Sequence, residues 1–235
     1  MKLKSAYRQA IMEGGGAGHL QHPFDDSGLT FNDFEKMIRG LLDGHITNHG
    51  KVTEKLDGQN LMFTWKDGKL LAARSKGQMK NHGANALSIA GVKKMFAGRG
   101  ELEKGFTQAV TDLQAAIKKL TDAQRQKIFG DGQNFMNIEV MYVPSTNVIP
   151  YGKNMLVFHG ALRYNEAGDP IGEVEGSASI LGGMIKQVNA DIQKTFTIQG
   201  PQSVNIPRDD NFNTQQAKFI KRLTTLRTKF GLKKT

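Results

Sequence analysis

The sequence predicts an α+β fold built on an antiparallel sheet, and three observations carry that prediction. Short apolar runs separated by turn dipeptides, as in 60–66, Asp67-Gly68 and 69–74, read as hairpin strands. A longer stretch at 101–120 repeats apolar residues at spacings of three and four, which reads as a helix with one buried face. The two kinds of segment follow one another without the strict strand–helix–strand order of a parallel sheet.

Taken in order, residues 1–30 form a Gly-rich arm, with EGGGAG at 13–18 as a linker or lid. It is not a phosphate-binding Walker loop, because no Gly-Lys-Ser/Thr follows and Pro23 interrupts any immediate helix. Thr30 caps a predicted helix whose apolar face is Phe31, Phe34, Met37, Ile38, Leu41 and Leu42, with Gly44 as the stop. Strands at 52–55, 60–66 and 69–74 follow, with turns at Asp57-Gly58 and Asp67-Gly68. A polar, Gly-rich stretch comes next, partly helical between 84 and 96. The helix at 101–120 buries Phe106, Ala109, Val110, Leu113, Ala116, Ile117 and Leu120, and a short helix runs over 121–129. Strands return at 135–143 and 155–164, separated by the loop PSTNVIPYGKN. IGEVE is a short strand, Ser177 begins a helix to about 193, TFTIQ is a strand, and a basic helix covers about 214–230.

The chain of 235 residues is 38% hydrophobic and 23% charged, an ordinary soluble balance with no apolar run of membrane-spanning length. There is no Cys, which removes disulfides, thiolate chemistry and Cys-based zinc sites and fits the reducing cytoplasm. Two His pairs, His19/His22 and His45/His49, have helical metal spacing, but glycines or Pro23 flank them and no third ligand is indicated. The net charge is +10 and unevenly spread. Lys218, Lys221, Arg222, Arg227, Lys229, Lys233 and Lys234 fall in 211–235, where there is no Asp or Glu. The rest is only mildly basic, so the last segment is a concentrated positive patch suited to a nucleic-acid phosphate backbone.

The stretch VTEKLDGQNLMFTW, residues 52–65, carries the most specific chemistry. A lysine at the end of a strand, fixed by a tight turn, has a set direction of attack once it loses its proton through burial or cationic neighbours. Glu54-Lys55-Leu56-Asp57-Gly58-Gln59-Asn60 resembles motif I of the covalent nucleotidyltransferases: DNA ligases, RNA ligases and mRNA capping enzymes. Asn60, with Glu54 ahead of the lysine, looks most like the phage RNA ligases that seal nicks in duplexes. Further elements fall in the family's order. Arg74 in LAARSK matches motif Ia, Glu139 in MNIEVMY matches motif III, and LVFHG resembles motif IIIa, with Phe158 or His159 as the base-stacking residue.

The resemblance implies a single nucleotidyltransferase (adenylation) domain of the ligase/ATP-grasp-like type over 1–235, with a catalytic core at 31–200. It implies Lys55, Asp57, Arg74 and Glu139 as catalytic residues, Glu139 also supporting Mg²⁺. Glu54, Leu56, Gly58, Asn60, Phe158 and His159 would bind the nucleotide, ATP. Lys218, Lys221, Arg222, Arg227 and Lys229 would hold nucleic acid, a nicked duplex or RNA ends. The protein would act in the cytoplasm, the host's if it is phage-encoded, with no membrane partner.

Two family elements do not follow. Motif IV needs an acidic residue before Gly and an apolar strand, but after Glu175-Gly176 the residues Ser177-Ala178-Ser179 read as a helix start. Motif V needs Lys-x-Lys on a strand, yet Lys186 falls in a predicted helix, Lys194 stands alone and Lys233-Lys234 end the chain. The expectation is a domain incomplete at its C-terminus, with a second chain supplying motifs IV and V. The alternative is a truncated or inactive ligase-like protein acting as a nucleic-acid-binding module.

Overall fold

A computed structural model describes residues 28–42, 56–145, 151–188, 195–200 and 211–231. The predicted strand at 52–55, with Glu54 and Lys55, lies outside the described residues. So do the two His pairs, the arm over 1–27, Lys194, Lys233 and Lys234. In chain order the elements begin with helix α1 (Phe31–Leu42), strands β1 (Gln59–Lys66) and β2 (Lys69–Ala73), and helices α2 (Lys76–Gly83) and α3 (Ile89–Met95). Helices α4 (Glu101–Lys118) and α5 (Asp122–Phe129) lead through a short 3-10 turn to β3 (Asn134–Met141) and β4 (Met155–Tyr164). Then come β5 (Pro170–Val174), helix α6 (Ser177–Val188), β6 (Thr197–Gln199) and helix α7 (Asn211–Lys229).

These elements fall into two compact units. In one, α1 and α7 pack together. The α1 start is fixed by reciprocal bonds: the Asp33 N–H donates to Thr30 Oγ1, while the Thr30 N–H and hydroxyl both donate to Asp33 Oδ2. The described helical partner of α1 is the basic helix from the far end of the chain.

The other unit is a mixed α+β body around a six-stranded sheet of order β2-β1-β3-β4-β5, antiparallel along that path. Strand β6 joins β4 in parallel, at 155–157, on the edge where β5 takes 161–164. Because side chains alternate along strands, each face has its own composition. One face buries Leu61, Phe63, Trp65, Leu70, Ala72, Met136, Ile138 and Phe158 beneath Phe106, Val110, Leu113 and Ile117 of α4 and Phe129 of α5. Phe63 lies 5.6 Å from Phe129 and 6.1 Å from Phe158, ring centre to ring centre. Each large apolar side chain so buried contributes about 1.5–3 kcal/mol relative to exposure. Thr121 caps α5 with a capping box to Gln124, and Gly130 ends it in the left-handed conformation.

Two features of this core were not read from the sequence. Asp112 is buried on α4, where its Oδ2 accepts the N–H groups of Thr195 and Phe196 at 2.7 and 2.9 Å, tying the lead into β6 to the helix. Helix α2 lies in a stretch read as irregular. Only Met79 and Gly83 of it are buried, and its backbone turns left-handed at Asn81 and His82.

The opposite face of the sheet is divided. At one end Met62, Met79, Phe135 and Tyr164 are buried together, the Tyr164 hydroxyl donating to Met62 Sδ at 3.7 Å. Burial pushes the Tyr164 phenol well above its ordinary value. At the other end the same face carries Asn60, Asn137, Glu139 and His159.

Candidate functional site

The polar end of the sheet gathers around the segment that follows Lys55. The Asp57 N–H donates to the Tyr151 hydroxyl oxygen at 2.8 Å. The Gly58 N–H donates to Glu139 Oε1 at 2.8 Å. Two residues on, the Asn60 side-chain amide donates to Asn137 Oδ1, on the same strand as Glu139, at 2.6 Å. Register explains these meetings, since Asn60 stands directly opposite Glu139 in the β1–β3 ladder.

His159 is brought in by an irregularity. The β3–β4 register shifts between Asn137 and Ile138, so that Asn137 faces Gly160 and Ile138 faces Phe158. His159 is the extra residue of this bulge and turns to the polar face, where its Nε2 lies 3.2 Å from Glu139 Oε2. Glu139 therefore bridges the two halves of the site: one carboxylate oxygen holds the backbone after Lys55, the other holds the imidazole.

Gly58 has a steric reason for being glycine. A Cβ there would lie 2.6 Å from Glu139 Cγ, 2.8 Å from the Val140 carbonyl oxygen and 2.9 Å from Met141 Cγ. Its φ is not positive. The chain crosses Glu139 too closely for a side chain, and that approach permits the Gly58–Glu139 bond.

The remaining predicted residues fall elsewhere. Leu56 and Asp57 are half-buried beside these bonds. Phe158 is fully buried against Phe63 on the helix-covered face, and of the two candidates only His159 lies on the polar face. Arg74 continues the alternation of Leu70 and Ala72 and lies beside Phe96 and Phe106, on the face opposite Glu139. On α7, Lys218, Lys221, Arg222 and Lys229 are exposed and Arg227 is half-buried. Lys221 and Lys229 flank Thr224, Thr225 and Thr228 along a shallow groove.

Mg²⁺ favours octahedral oxygen coordination. Both Glu139 oxygens are engaged by Gly58 and His159, and among the described residues no group of three His, Asp or Glu converges. Each Glu139 oxygen keeps a lone pair beyond these contacts, and Mg²⁺ takes only one or two carboxylates beside its waters. No family model matches the chain, and neither a curated protein nor a solved structure is significantly similar to it. Among the described residues no helix is long and apolar enough to cross a membrane.

Two residues of the cluster were missed in the sequence. Asn137 becomes visible only when β3 is set in register with β1. Tyr151 reaches Asp57 across 94 residues from the loop before β4, and no local pattern announces that contact.

Proposed function

We propose that this chain is an ATP-dependent, ligase-like polynucleotide nucleotidyltransferase in which Lys55 carries AMP, with RNA or DNA ends as substrate. The observation that supports this reading best is the anchoring of the segment just after Lys55, its backbone held by Tyr151 and Glu139 and its Asn60 side chain by Asn137. A nucleophile gains most from a fixed approach, and two of these anchors lie on a central strand of the sheet. In this reading neutral Lys55 Nζ attacks the α-phosphorus of ATP. An N–P bond forms, the P–O bond to pyrophosphate breaks, and the lysine proton goes to solvent or a neighbouring base. His159 offers a ring for the base, and Glu139 holds both the imidazole and the turn. Mg²⁺, bound through the phosphate oxygens of ATP, would offset their charge. The 5′-phosphate end then attacks the lysyl-AMP phosphorus, breaking the N–P bond and returning Lys55, and a 3′-hydroxyl attacks the adenylated end to form the phosphodiester and release AMP. Without motif V lysines the α-phosphate would lack donors, and such a loss typically slows a reaction by about 10²–10³.

A second reading is favoured by α7, which bears Lys and Arg with no acidic residue between Asn211 and Lys229. There the chain is a nucleic-acid-binding module that keeps the site without the chemistry. Incubation with Mg²⁺ and α-labelled ATP, followed by denaturation, separates the two. Label on the wild type that is absent from Lys55→Ala supports the enzyme. No label on a folded chain, with salt-dependent binding of DNA or RNA, supports the module.

A further inference from the structure

Helix α7 leaves two parallel stripes of side chains uncovered. With 3.6 residues to a turn, positions four and seven apart lie on one side of a helix. The half-buried residues Gln216, Ile220, Leu223 and Arg227 follow that spacing and mark the side turned toward its own unit, where α7 packs on α1. Next to that side come Phe219, Leu226 and Phe230, which stay 51%, 44% and 63% exposed. Phe230 follows the last helical residue, but its N–H still donates to the Leu226 carbonyl at 3.1 Å and so keeps the helical spacing. One step further round are Lys218, Arg222 and Lys229, also exposed. The first lysine precedes Phe219 and the last precedes Phe230, so the stripes run side by side for about 16 Å at the helical rise.

Single exposed apolar side chains are ordinary, whereas an aligned set rimmed by charge marks a contact surface. The helix holds no Asp or Glu, and among the described residues Lys218, Arg222 and Lys229 enter no ion pair. Lys229 Nζ stands 5.7 Å from the Phe230 ring centre, so a positive charge and an aromatic ring are presented together.

We propose that these stripes bind a single-stranded polynucleotide, its phosphates along Lys218, Arg222 and Lys229 and its bases against Phe219 and Phe230. The proposal rests on the reading of α7 as a nucleic-acid surface and narrows it. A duplex keeps its bases stacked inside and would use the cations alone, leaving the rings in water. A single strand offers free base faces as well as phosphates, and both stripes are then engaged. An anionic bilayer is a poorer match. The helix turns Ile220 and Leu223 toward its own unit, which leaves three apolar side chains for insertion, and interfacial binding grows with the apolar area buried.

The test is fluorescence anisotropy of the full chain with labelled oligo(dT) and with a duplex of equal length, over a range of salt. The variants are Phe219→Leu, Phe230→Leu, Phe230→Trp and Arg222→Gln, all at exposed positions. Ile171→Ala, at a comparably exposed apolar residue of β5, is the control. Phe219→Leu and Phe230→Leu are each expected to weaken oligo(dT) binding about five- to tenfold, with duplex binding within about twofold of wild type. Phe230→Trp keeps a flat ring and should bind oligo(dT) at least as tightly as wild type, while Ile171→Ala should stay within about twofold. Arg222→Gln should lower the salt slope on oligo(dT) by about 0.7, the share of one phosphate contact. Salt-dependent binding of both nucleic acids that is unchanged in Phe219→Leu and Phe230→Leu overturns the stripe proposal and leaves α7 a nucleic-acid surface. An equal loss on oligo(dT) and duplex does the same. Sedimentation of the chain with phosphatidylcholine–phosphatidylserine vesicles, with neither nucleic acid bound, overturns the nucleic-acid reading of α7 and the proposal together.

Discussion

Asp57-Gly58 and Asp67-Gly68 are the same dipeptide, ten residues apart, at the two ends of β1, and they need glycine for different reasons. Asp67 and Gly68 both have positive φ, at 50° and 71°, which gives the primed hairpin turn that matches strand twist. Nothing lies within 4 Å of where a Gly68 Cβ would stand. At Gly58 the backbone is unexceptional and the space is missing, because Glu139 and the Val140 carbonyl occupy it. One glycine serves a conformation, the other a contact. A dipeptide that looks like generic turn chemistry can therefore mark either a bend or a close approach to a neighbouring side chain.

Substitutions can break that contrast, beginning with the most damaging. Gly58→Ala must push Glu139 or the β3 backbone aside and should cost about 1–3 kcal/mol in denaturant unfolding. It should also abolish self-labelling by ATP, since the bond to Glu139 goes with it. Retained label at wild-type rate would show that the approach to Glu139 is incidental. Gly68→Ala forces an alanine into the left-handed region and should cost about 1 kcal/mol, read from the same titration, with labelling unchanged. A smaller effect, about 0.5–1 kcal/mol, is expected from Tyr151→Phe, which removes the acceptor for the Asp57 N–H at a half-buried position. If Tyr151 positions the turn, kcat for labelling should fall while KM for ATP holds; unchanged kcat would leave it a purely structural contact.

Much of this architecture was legible because the relevant forces are local. Strands β1 and β2 announce themselves through alternation and a turn dipeptide, and α4 through a stripe that faces the sheet. Helix α2 gave no such signal, since its polar run has Met79 as its one buried large apolar residue. The short strand β6 gave no sign of its parallel partner, and Asp112 sits inside an apolar stripe that concealed its role toward Thr195 and Phe196. In the candidate site, Asn60, Glu139 and His159 were found through their resemblance to known motifs. Which of Phe158 and His159 faces the polar side depended on a bulge, which a single sequence does not reveal. Arg74 was legible in part: its parity with Leu70 and Ala72 puts it on the helix-covered side of the sheet, a consequence that motif matching overlooked.

The anchors of the turn also have a history within each folding event. The β1–β2 hairpin closes over two residues and can form as soon as its strands exist. The Gly58–Glu139 and Asp57–Tyr151 bonds span 81 and 94 residues, so they form only after a long stretch of chain has been brought back to β1. Strand and hairpin can thus exist before the site does. The residues after Lys55 reach their anchored geometry when the sheet closes, and any partial opening between β1 and β3 releases the Gly58–Glu139 bond.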